Sequence, residues 1–469
     1  MANEIANINT VAIPSFSRCL LYSLSFSFIC AVTGLLLSYS AIFFVEVIVI
    51  SGYILLSVVK KSTVYLLYSM IFSTFFDVND VFTFGGDLML RPWYVISISI
   101  GVFLLIKSLK DGSFLNVKRA NRGLWSFFLV LIFLFISSFI ANDYKKDAGL
   151  FIAKIILFYL PLIVSFTVLT AWKDLNLCLH YWMFMILSVS VFSLIQLFNL
   201  LYGSGILTFD KYDGSPWPHG FFSERTWLGY MGCVGTILSL YFYRVFNAKK
   251  YLILAIPSFL IVLISVTRGA YLALAGSLFL LFFTGKLKRN IVVFAWFFAT
   301  ILASIFIAAF FADKYDFSLS DIMFAKFSLE DDSASGRLEA YRQSADTLKG
   351  INFFTGVGFG YSEMTDLSKS TIGSKSFNFF LAIFSSIGFF GFLWLLSCLI
   401  MFTFGYIKNL FVYRKYNYEM YFLIMQCGLA LFSSFILYAQ NAPLHMHPFG
   451  WIVLSLSISI YVNRRMVIE

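Results

Sequence analysis

One arginine interrupts a long apolar stretch, in the segment Ser265-Val266-Thr267-Arg268-Gly269-Ala270-Tyr271. Arginine carries a permanent planar cation that can bind two phosphate oxygens together, and a charged residue among membrane segments marks a candidate functional site. The glycine that follows predicts a tight turn between two helices. Arg268 is therefore predicted to bind a polyanion such as a lipid pyrophosphate. The alternative is an interfacial arginine that only contacts lipid headgroups.

A carboxylate and an arginine are adjacent just before another apolar run, in Trp217-Pro218-His219-Gly220-Phe221-Phe222-Ser223-Glu224-Arg225-Thr226-Trp227. A sugar hydroxyl that attacks an electrophilic carbon must lose its proton, and a positioned carboxylate can accept it. Glu224 is the predicted proton acceptor, and Arg225, His219 and Trp217 are predicted to bind substrate. The alternatives are a Glu224–Arg225 ion pair that anchors the helix entrance, and tryptophans that anchor the membrane interface.

A third set of residues flanks a predicted surface helix in a long polar segment. Arg337 lies near the start of this helix, where backbone N–H groups would also face an anion, and Arg342 is on its polar face. The run Gly356-Val357-Gly358-Phe359-Gly360 follows the helix. These glycines predict a loop backbone packed close to a substrate, or a plain turn. Tyr361 and Asn378 complete the predicted substrate-binding residues.

Metal and cofactor sites are not predicted from this sequence. Asp77 and Asp80 are too few oxygen ligands for a hard metal ion, and His445 with His447 make an incomplete site. All six cysteines lie in apolar runs, where a thiol behaves as a small apolar group.

The composition shows which elements must position these residues. Of the 469 residues, 60% are hydrophobic and 12% charged, against roughly 45–50% and 25% in an ordinary soluble domain. This composition excludes a soluble globular protein. At about 20 residues a crossing, the apolar runs predict an all-α, polytopic membrane protein with about 14 transmembrane helices. The net charge of +10 is attributed to cytoplasmic loops, so no nucleic-acid partner is predicted.

The predicted helices are interrupted by two large periplasmic loops, the second of which contains amphipathic helices. A loop as long as the second is more than a connector. The predicted organisation has N-terminal transmembrane helices in 1–201, the first large loop in 202–226, transmembrane helices with the outer Arg268 turn in 227–311, the second large loop in 312–376, and C-terminal transmembrane helices in 377–469.

Basic clusters give the predicted orientation. If the first helix leaves the cytoplasm, all dense clusters of lysine and arginine except Lys145-Lys146 fall on the inner side, as the positive-inside rule requires. Both termini are then cytoplasmic, and Arg244 with Lys249-Lys250 lies in an inner loop. Arg268 and both large loops face the periplasm.

These segments together resemble the O-antigen ligase and polymerase superfamily of bacterial inner membranes, in which the Wzy-type enzymes polymerise O-antigen or capsule repeat units. The resemblance covers about residues 200 to 400. It rests on four segments in the family's order: Gly220-Phe221-Phe222-Ser223-Glu224-Arg225, Thr267-Arg268-Gly269-Ala270, Gly336-Arg337 with Gly356-Val357-Gly358, and Asn378-Phe379-Phe380-Leu381 with Ile387-Gly388-Phe389-Phe390-Gly391.

Two departures separate this chain from the family's pattern. Arg225 replaces the proline after the family's glutamate, and Phe377 replaces the histidine that ligases place before the asparagine. A ligase-type histidine role therefore has no residue here, which favours a polymerase over a ligase.

The resemblance implies a metal-independent glycosyltransferase, with no cofactor, that acts on undecaprenyl-pyrophosphate-linked oligosaccharides. Its catalytic residues would be Glu224, Arg268 and Arg337. The implied partners are this lipid-linked substrate, the bilayer and a chain-length regulator protein. An O-antigen ligase that transfers polymer to lipid A-core and a non-enzymatic lipid-linked oligosaccharide flippase remain alternatives. The long outer loop favours an enzyme over a flippase.

Overall fold

The computed structural model describes part of the chain with both backbone and side chains. The described residues are 48–53, 55–56, 64–75, 172–201, 220, 225–265, 267–284, 291–293, 341–342, 348–358, 378–440 and 448–462, the backbone of 82–84 and 88–90, and the single residues 133, 136, 295, 298, 302 and 346. Glu224, His219, Trp217, Arg337 and Tyr361 lie outside the described residues, and so does the side chain of Arg225.

Helices dominate the described residues. They are α1 (Val64–Ser73), α2 (Trp172–Leu201), α3 (Arg225–Phe246), α4 (Lys250–Ile264), α5 (Arg268–Thr284), α6 (Asn352–Thr355), α7 (Phe379–Lys415), α8 (Glu419–Ala439) and α9 (Pro448–Val462). The exception is a short antiparallel hairpin, β1 (Phe82–Phe84) with β2 (Leu88–Leu90). This hairpin was not predicted, because three-residue strands carry too little periodicity to be recognised.

Three helical segments in the described residues are long and apolar enough to cross a membrane. They are Leu175–Asn199, Phe379–Lys415 and Glu419–Ala439. The helical fold class and the membrane character are therefore confirmed, whereas the count of fourteen crossings and the two large loops stay predictions.

Three hydrogen bonds relate the directions of α3, α5 and α8. Arg244, in the last turn of α3, donates from Nη1 to the Leu281 carbonyl oxygen of α5 at 3.0 Å and to Gln426 Oε1 of α8 at 2.6 Å. Tyr438, near the end of α8, donates from its hydroxyl to the Thr226 carbonyl oxygen at the start of α3, at 2.6 Å. Helices α3 and α5 therefore run in the same direction, and α8 runs antiparallel to them.

A hydrogen bond between the end of α3 and the start of α2 shows that these two helices run antiparallel. The Tyr241 hydroxyl of α3 donates to Asn176 Oδ1 near the start of α2, at 3.0 Å. We call the end of the bundle that contains Thr226, Arg268 and Tyr438 the Arg268 end, and the opposite end the Arg244 end.

The end of α7 differs from the sequence-based boundary. The apolar run 377–404 predicts a transmembrane helix that stops at residue 404, whereas α7 continues to Lys415. The apolar run stops before the polar pair Lys408-Asn409, but a helix ends where its backbone groups find other hydrogen-bond partners. Here Asn417 has a left-handed backbone (φ 56°), and the Tyr418 N–H donates to the Tyr413 carbonyl oxygen at 3.0 Å, a common helix-ending arrangement.

Candidate functional site

The Arg268 end of the bundle gathers two of the segments predicted to do chemistry. Gly229 of α3 packs against the turn between α4 and α5 so closely that an added Cβ would overlap Ser265 and lie 3.1 Å from the Ala270 Cβ. The first turn of α3 and the first turn of α5 are therefore neighbours. The structure brings α3, which begins immediately after Glu224, next to the Arg268 turn.

Arg268 begins α5 and is half-buried. The Thr267 carbonyl oxygen accepts from the N–H groups of Ala270 at 3.0 Å and Tyr271 at 3.1 Å, and the Tyr271 hydroxyl donates back to the Leu263 carbonyl oxygen of α4 at 2.7 Å. The turn is thus tied to both helices. A guanidinium beside the N–H groups of a helix start is a favourable arrangement for an anion.

The predicted role of Gly269 in this turn is wrong. Gly269 is buried in the first turn of α5, and it is not among the residues with positive φ. Ser265 and Thr267 make the turn instead, with the Thr267 hydroxyl donating to the Ser265 carbonyl oxygen at 3.0 Å. Side-chain bonds of this kind form tight turns without glycine.

Gly220 of the Glu224 segment is held against α2. Gln196, near the end of α2, accepts from the Gly220 N–H at 2.9 Å and donates to the Gly220 carbonyl oxygen at 3.2 Å. Gly220 has φ 64°, and an added Cβ would lie 2.9 Å from Ser193 Oγ. This bidentate contact fixes Gly220 beside α2, four residues before Glu224 in the sequence. The signal in the sequence was Gln196 itself, an amide inside an apolar run.

Trp227 is a packing residue in the structure. Its side chain is buried, with its ring centroid 6.0 Å from that of Tyr438. Tyr438 in turn stacks on Tyr230, at 4.2 Å between centroids and 6° between planes. The sequence alone permits Trp227 to contact a sugar ring or to anchor the membrane interface, and its buried position agrees with neither.

Asn378 caps the start of α7. Its Oδ1 accepts from the backbone N–H groups of Phe380 at 2.9 Å and Leu381 at 3.1 Å, the usual arrangement of an N-cap asparagine. The next residue, Phe379, packs on Phe435 of α8 and Trp451 of α9. A contact between Asn378 and substrate stays a prediction, and the structure gives this residue a structural role.

Residues 356–358, the described part of the glycine run, dock on a break in α7. Gly388 has φ 68° and ψ −176° inside the helix, which interrupts the helical hydrogen bonds. The N–H of Val357 donates to the Ser385 carbonyl oxygen at 2.9 Å. The N–H of Gly358 donates to the Ser386 carbonyl oxygen at 3.2 Å. Main-chain hydrogen bonds thus join two of the regions that resemble the family, the Gly356-Val357-Gly358 segment and the first part of α7.

Glycine is required on both sides of this contact. A Cβ on Gly356 would overlap the Ser386 carbonyl group, and a Cβ on Gly388 would overlap the Phe354 carbonyl group. Both residues also have positive φ, which favours glycine. In the structure these glycines are close to a helix backbone, and their predicted proximity to a substrate stays a prediction.

The remaining predicted residues of the second loop are only partly described. Tyr341, Arg342 and Asp346 are helical, Arg342 and Asp346 are exposed, and Leu348 is buried. The convergence of Arg268 and Arg337 is untested, because Arg337 lies outside the described residues. The described ranges contain no group of three or more His, Cys, Asp or Glu side chains that could hold a metal ion.

Arg244 differs from its predicted place in an inner loop. It lies within α3 and is buried, where it contacts Leu281 and Gln426. Gln426 Nε2 also donates to the Leu281 carbonyl oxygen at 3.0 Å and to the Thr284 hydroxyl. The prediction was wrong because the helix continues beyond the apolar run, so that the arginine packs between three helices.

Helices of this length and apolarity define a helical membrane protein. Residues 252–396 match the family model described as O-antigen ligase, so over this segment the resemblance to the O-antigen ligase and polymerase superfamily is confirmed. The matched segment contains the Arg268 turn, the glycine run and the break in α7. A sequence search of curated proteins finds no match.

Proposed function

We propose that the protein is an O-antigen polymerase, which joins undecaprenyl-pyrophosphate-linked oligosaccharide repeat units on the periplasmic face of the inner membrane. The observation that carries this proposal is the Arg268 turn. A half-buried guanidinium and the start of α5, within the segment that matches the O-antigen ligase family, lie beside α3, which begins immediately after Glu224.

The reaction proposed for this site is a direct glycosyl transfer. A hydroxyl oxygen of the acceptor repeat unit attacks the anomeric carbon of the donor, and the bond from that carbon to the pyrophosphate oxygen breaks. The pyrophosphate leaves with the bonding electron pair, and Glu224 accepts the hydroxyl proton. Arg268 and Arg337 neutralise the charge that develops on the pyrophosphate, a role that two guanidinium groups can perform without a metal ion.

The chain offers one reason to prefer a polymerase and one to retain the ligase. Phe377 occupies the place where ligases have a histidine, so a ligase-type proton transfer has no residue at that position. The matched family model is nevertheless described as O-antigen ligase. A ligase, which transfers finished polymer to lipid A-core, is therefore the second candidate. Both act on a lipid-linked saccharide in the membrane.

The lipopolysaccharide profile of a deletion strain separates these functions. Loss of a polymerase leaves core that carries one repeat unit, whereas loss of a ligase or a flippase leaves bare core. We expect a single repeat unit on core, and restoration of the ladder by the wild-type chain. Bare core in the deletion strain would contradict the polymerase assignment.

A further inference from the structure

Four exposed phenylalanines meet where the second loop docks on α7. The Phe353 ring of α6 stacks on Phe389 at 5.5 Å between centroids, and the Phe354 ring stacks on Phe390 at 5.8 Å. Phe354 is 48% exposed and Phe390 58% exposed. Ile351, just before α6, is 76% exposed. We call the segment from Ile351 to Thr355 the aromatic arm.

The apolar surface of the aromatic arm continues along α7. Beyond the break, the segment Phe389–Ile407 contains no charged residue. Its exposed side chains include Leu393, Trp394, Ile400, Met401 and Phe404. On a helix that is long and apolar enough to cross a membrane, an exposed apolar stripe is suited to contact with lipid. The two phenylalanine pairs extend this apolar stripe from α7 onto the aromatic arm.

The length of α7 between Gly388 and Lys408 places the break at a depth in the bilayer that is consistent with contact between the aromatic arm and lipid. Lys408 is the first charged residue after the break and follows Gly388 by 20 residues. At 1.5 Å per residue this helical segment is about 30 Å long, which equals the thickness of the hydrocarbon core, about 30 Å. If Lys408 reaches one headgroup region, Gly388 and the aromatic arm lie at the opposite boundary of the hydrocarbon.

The chain becomes polar immediately before the aromatic arm. Lys349 Nζ and Asp346 Oδ1 form an ion pair at 2.8 Å, and both side chains are exposed. Gly350 then has φ 63°, which turns the backbone between the ion pair and Ile351. A polar segment followed at once by exposed apolar and aromatic side chains is the pattern of a segment that enters the membrane interface.

We propose that the aromatic arm is a membrane anchor: Ile351, Phe353 and Phe354 insert among the acyl chains of the leaflet at the Arg268 end, and the main-chain bonds to Ser385 and Ser386 hold them at that depth. The partner is the lipid of the bilayer itself. The anchor fixes the end of the second loop to the membrane surface and to α7 together, and it does not depend on which saccharide reaction the protein performs.

Fluorescence quenching in nanodiscs tests the insertion. Phe354→Cys and, separately, Asp346→Cys would be labelled with a thiol-reactive bimane in the full-length protein, with labelled wild type as the blank. The four described native thiols are buried. Lipids with a nitroxide on the acyl chain should quench the label at position 354 at least twofold more strongly than at 346, and aqueous iodide should show the reverse order. Equal iodide quenching at both positions would overturn the proposal.

Ile351→Cys provides an independent position on the same arm. Because Ile351 is the most exposed residue of the arm, its replacement leaves protein packing nearly unchanged. Strong acyl-chain quenching at 351 is expected. Iodide quenching at 351 equal to that at 346 would overturn the insertion, even if the Phe354 variant were poorly folded.

Glycine variants test the main-chain contact in the Phe354→Cys background. Gly388→Ala combines a positive φ with an overlap of the Phe354 carbonyl group, whereas Gly350→Ala has a positive φ and nothing within 4 Å of the added Cβ. Gly350→Ala is therefore the matched control for backbone strain. Gly388→Ala should raise iodide quenching toward the level of position 346, and Gly350→Ala should not.

A second variant, in the loop and not in α7, tests the same contact if the Gly388→Ala protein does not accumulate in the cell. Val357→Pro removes the N–H that donates to the Ser385 carbonyl oxygen and leaves the spanning helix unaltered. It should produce the same rise in iodide quenching. Unchanged quenching in both Gly388→Ala and Val357→Pro would show that the main-chain contact does not hold the arm.

Discussion

The side chain of Arg268 has a positive charge and a planar guanidinium group, and a substitution by lysine separates the effects of these two properties. Arg268→Lys keeps the positive charge but loses the planar fork that binds two phosphate oxygens. One charge-assisted hydrogen bond contributes about 1.5–3 kcal/mol, so polymer synthesis should fall about 10- to 100-fold, with normal protein abundance. The polymer ladder and an immunoblot measure both quantities.

An arginine at the other end of the bundle is the matched control. Arg414 is exposed in the last turn of α7, so Arg414→Lys should leave the polymer ladder unchanged. Near-normal polymer from Arg268→Lys would mean that Arg268 contacts only lipid headgroups.

Glu224 is predicted to accept the proton of the attacking hydroxyl. Glu224→Gln keeps the shape of the side chain but cannot accept a proton at neutral pH, so transfer should slow by roughly 10²–10⁴-fold. Donor binding should persist, because the phosphate contacts are assigned to the arginines. Rates with purified lipid-linked repeat units at pH 7 and pH 9 provide the measurement.

The comparison with wild type at both pH values decides the role of Glu224. If the variant polymerises as fast as wild type at both, Glu224 is a structural partner of Arg225. The proton would then go to His219 or to water.

At the scale of elements, Gln426 connects three helices at the Arg244 end. It contacts Arg244 of α3 and Leu281 and Thr284 of α5. Gln426→Leu removes these bonds inside a buried region, so stability should fall by about 1–3 kcal/mol. A lower melting temperature in detergent would show this loss. Gln440→Leu, at an exposed position after α8, should leave the melting temperature unchanged, and equal values for both variants would contradict the expectation.

Helix boundaries can be predicted from the sequence where an apolar run gives way to polar or charged residues. The apolar run 448–462 predicts a helix with the same bounds as α9, and the run 419–440 predicts a helix one residue longer than α8. The break at Gly388 could not be predicted in the same way, because it lies within an unbroken apolar run. Its cause is distant in sequence: the N–H groups of Val357 and Gly358 satisfy the carbonyl oxygens that the break releases.

The candidate site was also predictable in part: the sequence indicates the charged residue but not the residues that position its neighbours. The sequence identified Arg268 as a cation at a turn, and the structure places it at the start of α5. The partners that position the segments around it, Gln196 for Gly220 and Tyr438 for Thr226, come from other helices. Their pairing depends on helix packing, which residue types alone do not specify.

At the scale of the whole molecule, the proposed mechanism requires Arg268 and Arg337 to share one cavity. A lipid-linked donor must enter without leaving the bilayer, so this cavity should open sideways to lipid at the Arg268 end. Arg268→Cys with Arg337→Cys should therefore be joined by a short bifunctional thiol reagent, while Arg414→Cys with Arg337→Cys should not. A structure with Arg268 and Arg337 on opposite surfaces would contradict the shared-pyrophosphate mechanism.

The contact between the second loop and α7 has a consequence for mutational tolerance. Its hydrogen bonds join backbone groups of Val357 and Gly358 to those of Ser385 and Ser386, so they do not depend on which side chains those positions carry. In a saturation library selected for polymer ladders, we expect varied residues at 385, any residue except proline at 357, and only glycine at 356 and 388. The loop could then change its surface chemistry toward a different saccharide while its attachment to the membrane helix stays the same.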